Sequence, residues 1–482
     1  MFPTDVPSWS RSRTSGASGP RSRRACRTGI WARTVLSTSS RRSTSRAGCS
    51  RSRPGRSSPG KGSGGRGATG SKAPVVPATR RHSVSPESSV LAALAAREGA
   101  CVELARELVA TPSPNPPGDE RAIAAVVQQA MAALGYRDLT TIACAEERPN
   151  GVGVVGTGPR TLILNGHLDT KPPGNEGAWQ TGPYDPVIRD GRLYGLGSTD
   201  MKGAVAAMIY AGAALAEAAD LAGTLRLVLS ADEEAGSVFG ARFLAETRAV
   251  TGDAVLVGEP TGFTSAWEYL AVASRGISCF RVVVRGTQMH SSLSDRLPAV
   301  NASVQLARVL IRLSDELELP EGATLNVGVT LRGGIFWGVY PGEAEAGVEV
   351  RTVPGMTFEG LRESVERFLG RLRAEDPELD VAAEWVPELA WFPPSEIDPT
   401  HELVGAARQA AQTVLGREIP MGVMPGFTDG SHWSRAGIPA IPAFGPGLLP
   451  LAHRPNEYVT VSDVVQAARI YALTALHYLS AS

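Results

Sequence analysis

Apolar positions recur along the chain with two different periods. Residues 88–111 carry the three-to-four spacing of a helix, which the proline-rich "TPSPNPPGDE" then breaks. Gly118-Asp119 opens a second helix that runs to about Leu134. Strand-like runs follow at 138–144, 152–156 and 161–166, and a small-residue helix at 203–219. "TLRLVLSADEE" reads as a strand ending in acids, "SVFGARFLAE" as a helix, and "DAVLVGEP" as another strand ending in an acid. Strands alternating with helices predict an α/β sheet with helices on its faces.

The texture changes after about residue 273. "ISCFRVVVRG", "ATLNVGVTLRGG" and "EAEAGVEVRTV" read as strands, with long helices at roughly 298–317 and 357–374. From about 388 the α/β character resumes, with helices at 400–414 and 461–478 and a short strand near 439–443. The simplest organisation is a discontinuous α/β domain, 88–273 and 388–480, interrupted by a compact α+β domain at 274–387.

Charge sets residues 1–85 apart. They hold sixteen arginines, two lysines and one acid, Asp5, so the formally neutral chain combines a tail of +17 with a body of −17. The tail is rich in Arg, Ser, Gly and Pro and has no apolar periodicity, which predicts disorder. A nucleic-acid-binding arm would use the charge, but aromatic side chains that stack on bases are nearly absent. A transit peptide shares the Arg and Ser content, yet Gly and Pro oppose an amphipathic helix. With 44 Arg against 4 Lys in the whole chain, the favoured reading is GC-rich upstream DNA and a start placed too early. The protein proper would begin near Ser83–Val90. No run is long and apolar enough to span a membrane. Five scattered cysteines point to reduced thiols and a cytoplasmic setting. Neither nucleic acid nor membrane is expected as a partner.

The candidate chemistry lies where strands end. "LILNGHLDT" places His167 and Asp169 at the carboxyl end of a buried strand, two apart and so on one side. "LYGLGSTDMKG" gives Asp200 in a Gly-rich turn, "SADEEAG" gives Glu233 and Glu234, "VGEPTG" gives Glu259, and "LAHRPNEYV" gives His453 and Glu457. Each alone reads as a cap, a solvated loop acid or a surface histidine. Together they form a set of imidazoles and carboxylates without a thiolate, which suits Zn²⁺, Mn²⁺ or Co²⁺. Crowding so many carboxylates without cations is costly.

The ordered segments "GHLDT", "GPYDPVIRDGRLYGLGSTDMKGAVAAM", "SADEEAG" and "VGEPTG" resemble the dinuclear zinc aminoacylase/carboxypeptidase superfamily, peptidase family M20, over about residues 90–478. That family includes acetylornithine deacetylase, succinyl-diaminopimelate desuccinylase, aminoacylase and glutamate carboxypeptidase. The resemblance implies a phosphorylase/hydrolase-like zinc-exopeptidase domain with an inserted ferredoxin-like lid and dimerisation domain. It implies two divalent ions: His167, Asp200 and Glu259 on one, and Asp200, Glu234 and His453 on the other, with Asp200 bridging. It makes Asp169 the residue that orients His167, and Glu233 the general base toward a metal-activated water. His290, in "VRGTQMHSS", matches a histidine that acts on the carbonyl oxygen, often from the partner subunit of a homodimer. Arg351, in "VEVRTVPG", matches the arginine that binds the substrate carboxylate. The implied activity is hydrolysis of an amide bond in an N-acyl amino acid, deacetylase- or desuccinylase-like, with a dipeptidase or carboxypeptidase as the alternative.

The sequence departs from the family pattern in two places. "GGIFWGVYPGEA" has Gly338 or Val339 where relatives commonly have Asn, which removes a polar contact. "YGLGSTD" has Leu196 where many relatives carry Arg. Asp429, in "GFTDGSHW", reads as a supporting residue.

Overall fold

The strand Thr161–His167 runs through a six-stranded sheet ordered Arg137–Ile142, Asn150–Gly156, Thr224–Ser230, Thr161–His167, Ala254–Val257, Ala440–Ile441. The first three strands pair antiparallel, and the last four run parallel. The carboxyl ends of Thr224–Ser230, Thr161–His167 and Ala254–Val257 therefore emerge along one edge, where α/β sheets gather functional groups. The structure, a computed structural model, describes residues 85–480. Every reading of residues 1–84 lies outside the described residues.

Strand alternation decides which face each side chain joins. Leu162 and Leu164 pack into a core shared with the helices Gly203–Ala218 and Val461–Ser480, whereas Ile163 points to the opposite face with Val255, Leu244 and Trp433. Every residue from Gly203 to Leu215 is buried, so small side chains allow this helix to sit deep between the sheet and its neighbours.

The helix expected over 88–111 is two helices, Pro86–Ala95 and Glu98–Ala110. Arg97 leaves helical geometry at φ −123° and ψ 8°. Its guanidinium reaches back to the Ala93 carbonyl at 3.1 Å and pairs with Glu217. Alanine and arginine both favour helix, so local propensity does not predict this break.

A second, antiparallel sheet is ordered Thr324–Gly333, Glu343–Thr352, Gly276–Arg285, Asp380–Trp385. Its own core joins Phe280, Val348 and Val350 to Leu306 of the helix Ala302–Glu316 and Phe368 of the helix Phe358–Glu375. Both helices start on a side-chain cap, Asn301 accepting from the Val304 N–H and Thr357 from the Gly360 N–H. No helix among the described residues is long and apolar enough to cross a membrane.

Candidate metal centre

His167 closes its strand with 1% of its surface exposed. Its Nδ1 lies 2.9 Å from the Asp169 carbonyl oxygen, which aims Nε2 into the site. Nε2 stands 3.0 Å from Asp200 Oδ1 and 3.5 Å from Glu259 Oε1. The other Asp200 oxygen, Oδ2, is 3.1 Å from His453 Nε2, and that nitrogen is 3.0 Å from Glu234 Oε1. Asp200 thus stands between two imidazoles, one facing each oxygen.

Local backbone places each group. Gly197, at φ +82°, starts the turn into Asp200; a Cβ there would come within 2.6 Å of Thr170 Cγ2, so only glycine fits. Glu457 then holds the turn, its Oε1 accepting the N–H groups of Thr199 at 2.8 Å and Asp200 at 3.2 Å. Glu259 follows the strand Ala254–Val257. His453 is held at φ +62°, a left-handed conformation that costs a residue with a Cβ roughly 1–2 kcal/mol.

Asp169 does more than the expected orientation of His167. Its carboxylate lies 3.5 Å from His167 Nδ1, further than its own carbonyl. Its shorter contacts are the Glu233 and Glu234 N–H groups, each at 3.1 Å, and Asn115 Nδ2 at 2.8 Å. Burial pushes the Asp169 carboxyl up, but these donors and His167 hold it below the ordinary value. Asn115 was not marked by the sequence. It sits in the proline-rich break, and its Nδ2 also reaches Asp232 at 3.0 Å. Lys171 donates its backbone N–H to Glu234 Oε1 at 3.2 Å and its ammonium to the Glu234 carbonyl.

The electrostatics are those of a crowded acidic site. Burial, reinforced by neighbouring carboxylates, pushes Glu233 and Glu259 well above the ordinary carboxyl range, even with His167 opposing. Burial pulls the His453 imidazole down, but its hydrogen bonds to Asp200 and Glu234 outweigh this and raise it to about 11. Burial also raises Asp429, to about 6, against hydrogen bonds from the Ser230 and Ser237 hydroxyls. Two sets of ligand atoms lie within 4.8 Å of one another: His167, Asp200 and Glu234, and His167, Glu233 and Glu259. Glu233 therefore faces the same point in space as the expected ligands.

Asp200, Glu233, Glu234, Glu259 and His453 line a cleft of about 390 Å³ that Arg351 also lines. Arg351 Nε bonds Glu349 Oε1 at 2.8 Å, leaving the terminal nitrogens for a ligand. His290 is not in this cleft. It lies on a short ladder pairing Met289–His290 with Val339–Tyr340, exposed, its Nδ1 2.8 Å from Ser292 Oγ. Leu196, where relatives carry Arg, is buried.

Comparison with known proteins bears on the family and the fold. The profile of Peptidase family M20/M25/M40 matches residues 163–477. A succinyl-diaminopimelate desuccinylase of Gluconacetobacter diazotrophicus is 31% identical over 385 residues, covering 77% of this chain and 94% of that protein. Among solved structures, the di-peptidase Dug1p from Saccharomyces cerevisiae superimposes with a TM-score of 0.65 at 17% identity, covering 82% of this chain and 99% of that one. The M20 family metallo-carboxypeptidase Sso-CP2 from Sulfolobus solfataricus gives 0.63 at 20% identity, covering 78% and 99%. These two likenesses carry the fold. With the profile spanning well over half of the sequence and the relative matched along nearly its whole length, the chain belongs to peptidase family M20/M25/M40.

Proposed function

We propose that this protein hydrolyses the amide bond of an N-acyl amino acid, using two divalent cations held around Asp200. The observation that carries the reading is Asp200 itself, with one oxygen toward His167 and the other toward His453. The residues fit such ions. Two imidazoles and four carboxylates converge without a thiolate, and the burial and crowding that push Glu233 and Glu259 up are what a cation among them would offset. We assign His167, Asp200 and Glu259 to one ion and Asp200, Glu234 and His453 to the other, with Zn²⁺ the first choice and Co²⁺ or Mn²⁺ as substitutes. Bound there, the ions would supply polarisation of the amide carbonyl and a more acidic attacking water.

The chain's own groups do the rest. A Glu233 carboxylate oxygen takes the proton of the attacking water and returns it to the leaving nitrogen. Asp169 fixes Glu233 by accepting its N–H, and keeps that loop in register with His167. The free end of the Arg351 guanidinium receives the substrate carboxylate in a two-point fork.

We assign residues 274–387 to a lid and dimerisation domain on the metal-binding domain formed by 88–273 and 388–480. His290 would then serve the cleft of a second copy in a homodimer. In support, His290 lies outside its own cleft, and the adjoining segment exposes Ile335, Phe336 and Trp337, the last 91% exposed. The free cysteines among the described residues, Cys101, Cys144 and Cys279, fit a reducing compartment such as the cytoplasm.

The test is Glu233→Gln, read on N-acetyl, N-succinyl and dipeptide substrates with added Zn²⁺, Mn²⁺ or Co²⁺. The variant should keep its metal, measured by mass spectrometry, and lose about 100-fold or more of turnover. Chelation should silence the wild type. Full turnover in the variant, or hydrolysis that survives chelation, contradicts the reading.

A further inference from the structure

We propose that the acyl group accepted by this cleft is a hydrocarbon, aromatic or branched, and not a dicarboxylic chain such as succinyl; this rests on the amide-hydrolase reading above. Besides the carboxylates and His453, the cleft is lined by Ile277, Leu389, Phe392, Met424, Phe427 and Leu449. The wall is built in advance. Phe392 and Ile277 exchange backbone hydrogen bonds at 2.8 and 3.0 Å, and the Phe392 and Phe427 rings meet at a 48° tilt with centroids 5.1 Å apart. Met424 is held from behind by the Tyr269 hydroxyl at 3.7 Å from its sulfur.

The wall also stands next to the reacting groups. Gly236 follows the Glu233–Ala235 turn, and a Cβ there would come within 2.5 Å of Phe392 Cζ. The ring therefore lies directly against the loop that carries Glu233. An acyl chain whose carbonyl reaches Glu233 would run onto these rings.

The positive groups available are few. Apart from His453, the cations that this chain gives to the cleft are Lys171 and Arg351; the His290 that a second copy would add is taken up by the amide carbonyl oxygen. Lys171 is committed to Glu234, through its carbonyl and through Oε2 at 3.3 Å. Arg351, already bonded to Glu349 through Nε, has one free end, enough for one carboxylate. An N-acyl amino acid brings one carboxylate on its amino-acid half. A second, at the far end of a succinyl chain, would rest on Phe392 and Phe427 without a counter-charge, and a buried carboxylate without a partner is strongly disfavoured.

The experiment measures kcat/KM for N-benzoyl, N-(3-methylbutanoyl), N-acetyl and N-succinyl derivatives of one amino acid, with Zn²⁺, Mn²⁺ or Co²⁺. In parallel, calorimetry measures binding of free benzoate and free succinate. The benzoyl and methylbutanoyl substrates should exceed the succinyl one at least tenfold, and benzoate should bind more tightly than succinate. Phe427→Arg, or Leu449→Arg at the half-buried rim should the first variant fail to fold, should shift the succinyl-to-benzoyl ratio at least tenfold toward succinyl. Equal or better hydrolysis of the succinyl substrate by the wild type overturns this inference and leaves the hydrolase reading standing. No hydrolysis of any substrate with any of the three metals overturns both.

Discussion

Replacing Asp169 by Asn isolates the residue that ties the two halves of the site together. The carboxylate gives one oxygen to the Glu233 N–H and the other to the Glu234 N–H, both at 3.1 Å, with Asn115 Nδ2 at 2.8 Å on the second. Asparagine keeps the shape but has one acceptor oxygen. Its amide nitrogen must point donor-to-donor at either the Glu233 side or the Glu234 and Asn115 side. At least one N–H in a site with no exposed Asp169 surface then loses its acceptor. An unsatisfied buried donor costs about 1–3 kcal/mol. At about 1.4 kcal/mol per tenfold, and with Glu233 and Glu234 drawn off position, kcat/KM should fall roughly 10- to 100-fold. The assay pairs steady-state hydrolysis with metal content, because displacement of Glu234 should also weaken one ion. Asp169→Asn with kcat/KM within threefold of wild type and full metal content would refute this account of Asp169.

If His290 serves a second copy, His290→Ala should lower turnover with metal intact. Co-expressing it with Glu233→Gln should restore roughly a quarter of wild-type activity, since half of a random set of two-fold dimers is mixed and each mixed dimer holds one complete site. No restoration in the mixture removes the partner role. His432 gives a pH prediction. Burial, aided by the Arg242 and Arg435 cations, pulls its imidazole down to about 3. The unfolded chain binds that proton near pH 6.5, so between those values it holds the extra proton and stability falls as pH falls. Relative to His432→Gln, the wild type should lose about 2 kcal/mol between pH 7 and pH 5 in urea unfolding, and a pH-independent difference rules the effect out.

Most of the fold could be read from periodicity because the sheet is covered on both faces. Leu162, Ile163 and Leu164 are all buried, and so form a continuous apolar run ending in His167. The ligand candidates were legible for a related reason, since Asp200, Glu234, Glu259 and His453 sit in turns whose glycines and acids stand out from their surroundings. What escaped depends on distance in space. Asn115 reads as one more turn residue until the fold brings it to Asp169, 54 positions away. Glu457 was visible in the sequence, but its grip on the Thr199 and Asp200 N–H groups spans more than 250 residues. The helix break at Arg97 is accompanied by a pairing with Glu217, 120 positions away, that no local pattern shows. His290 stood out in its loop, but its place on a ladder with Val339, outside its own chain's cleft, depends on a pairing between segments about fifty residues apart.

The central claim is that Asp200 bridges two ions. Crystals of the Zn²⁺-loaded protein, measured on both sides of the zinc absorption edge, test it directly. The account predicts two anomalous peaks about 3.5–4 Å apart, one beside His167 and Glu259 and one beside His453 and Glu234, with an Asp200 oxygen on each. A single peak, or two peaks away from Asp200, would contradict it.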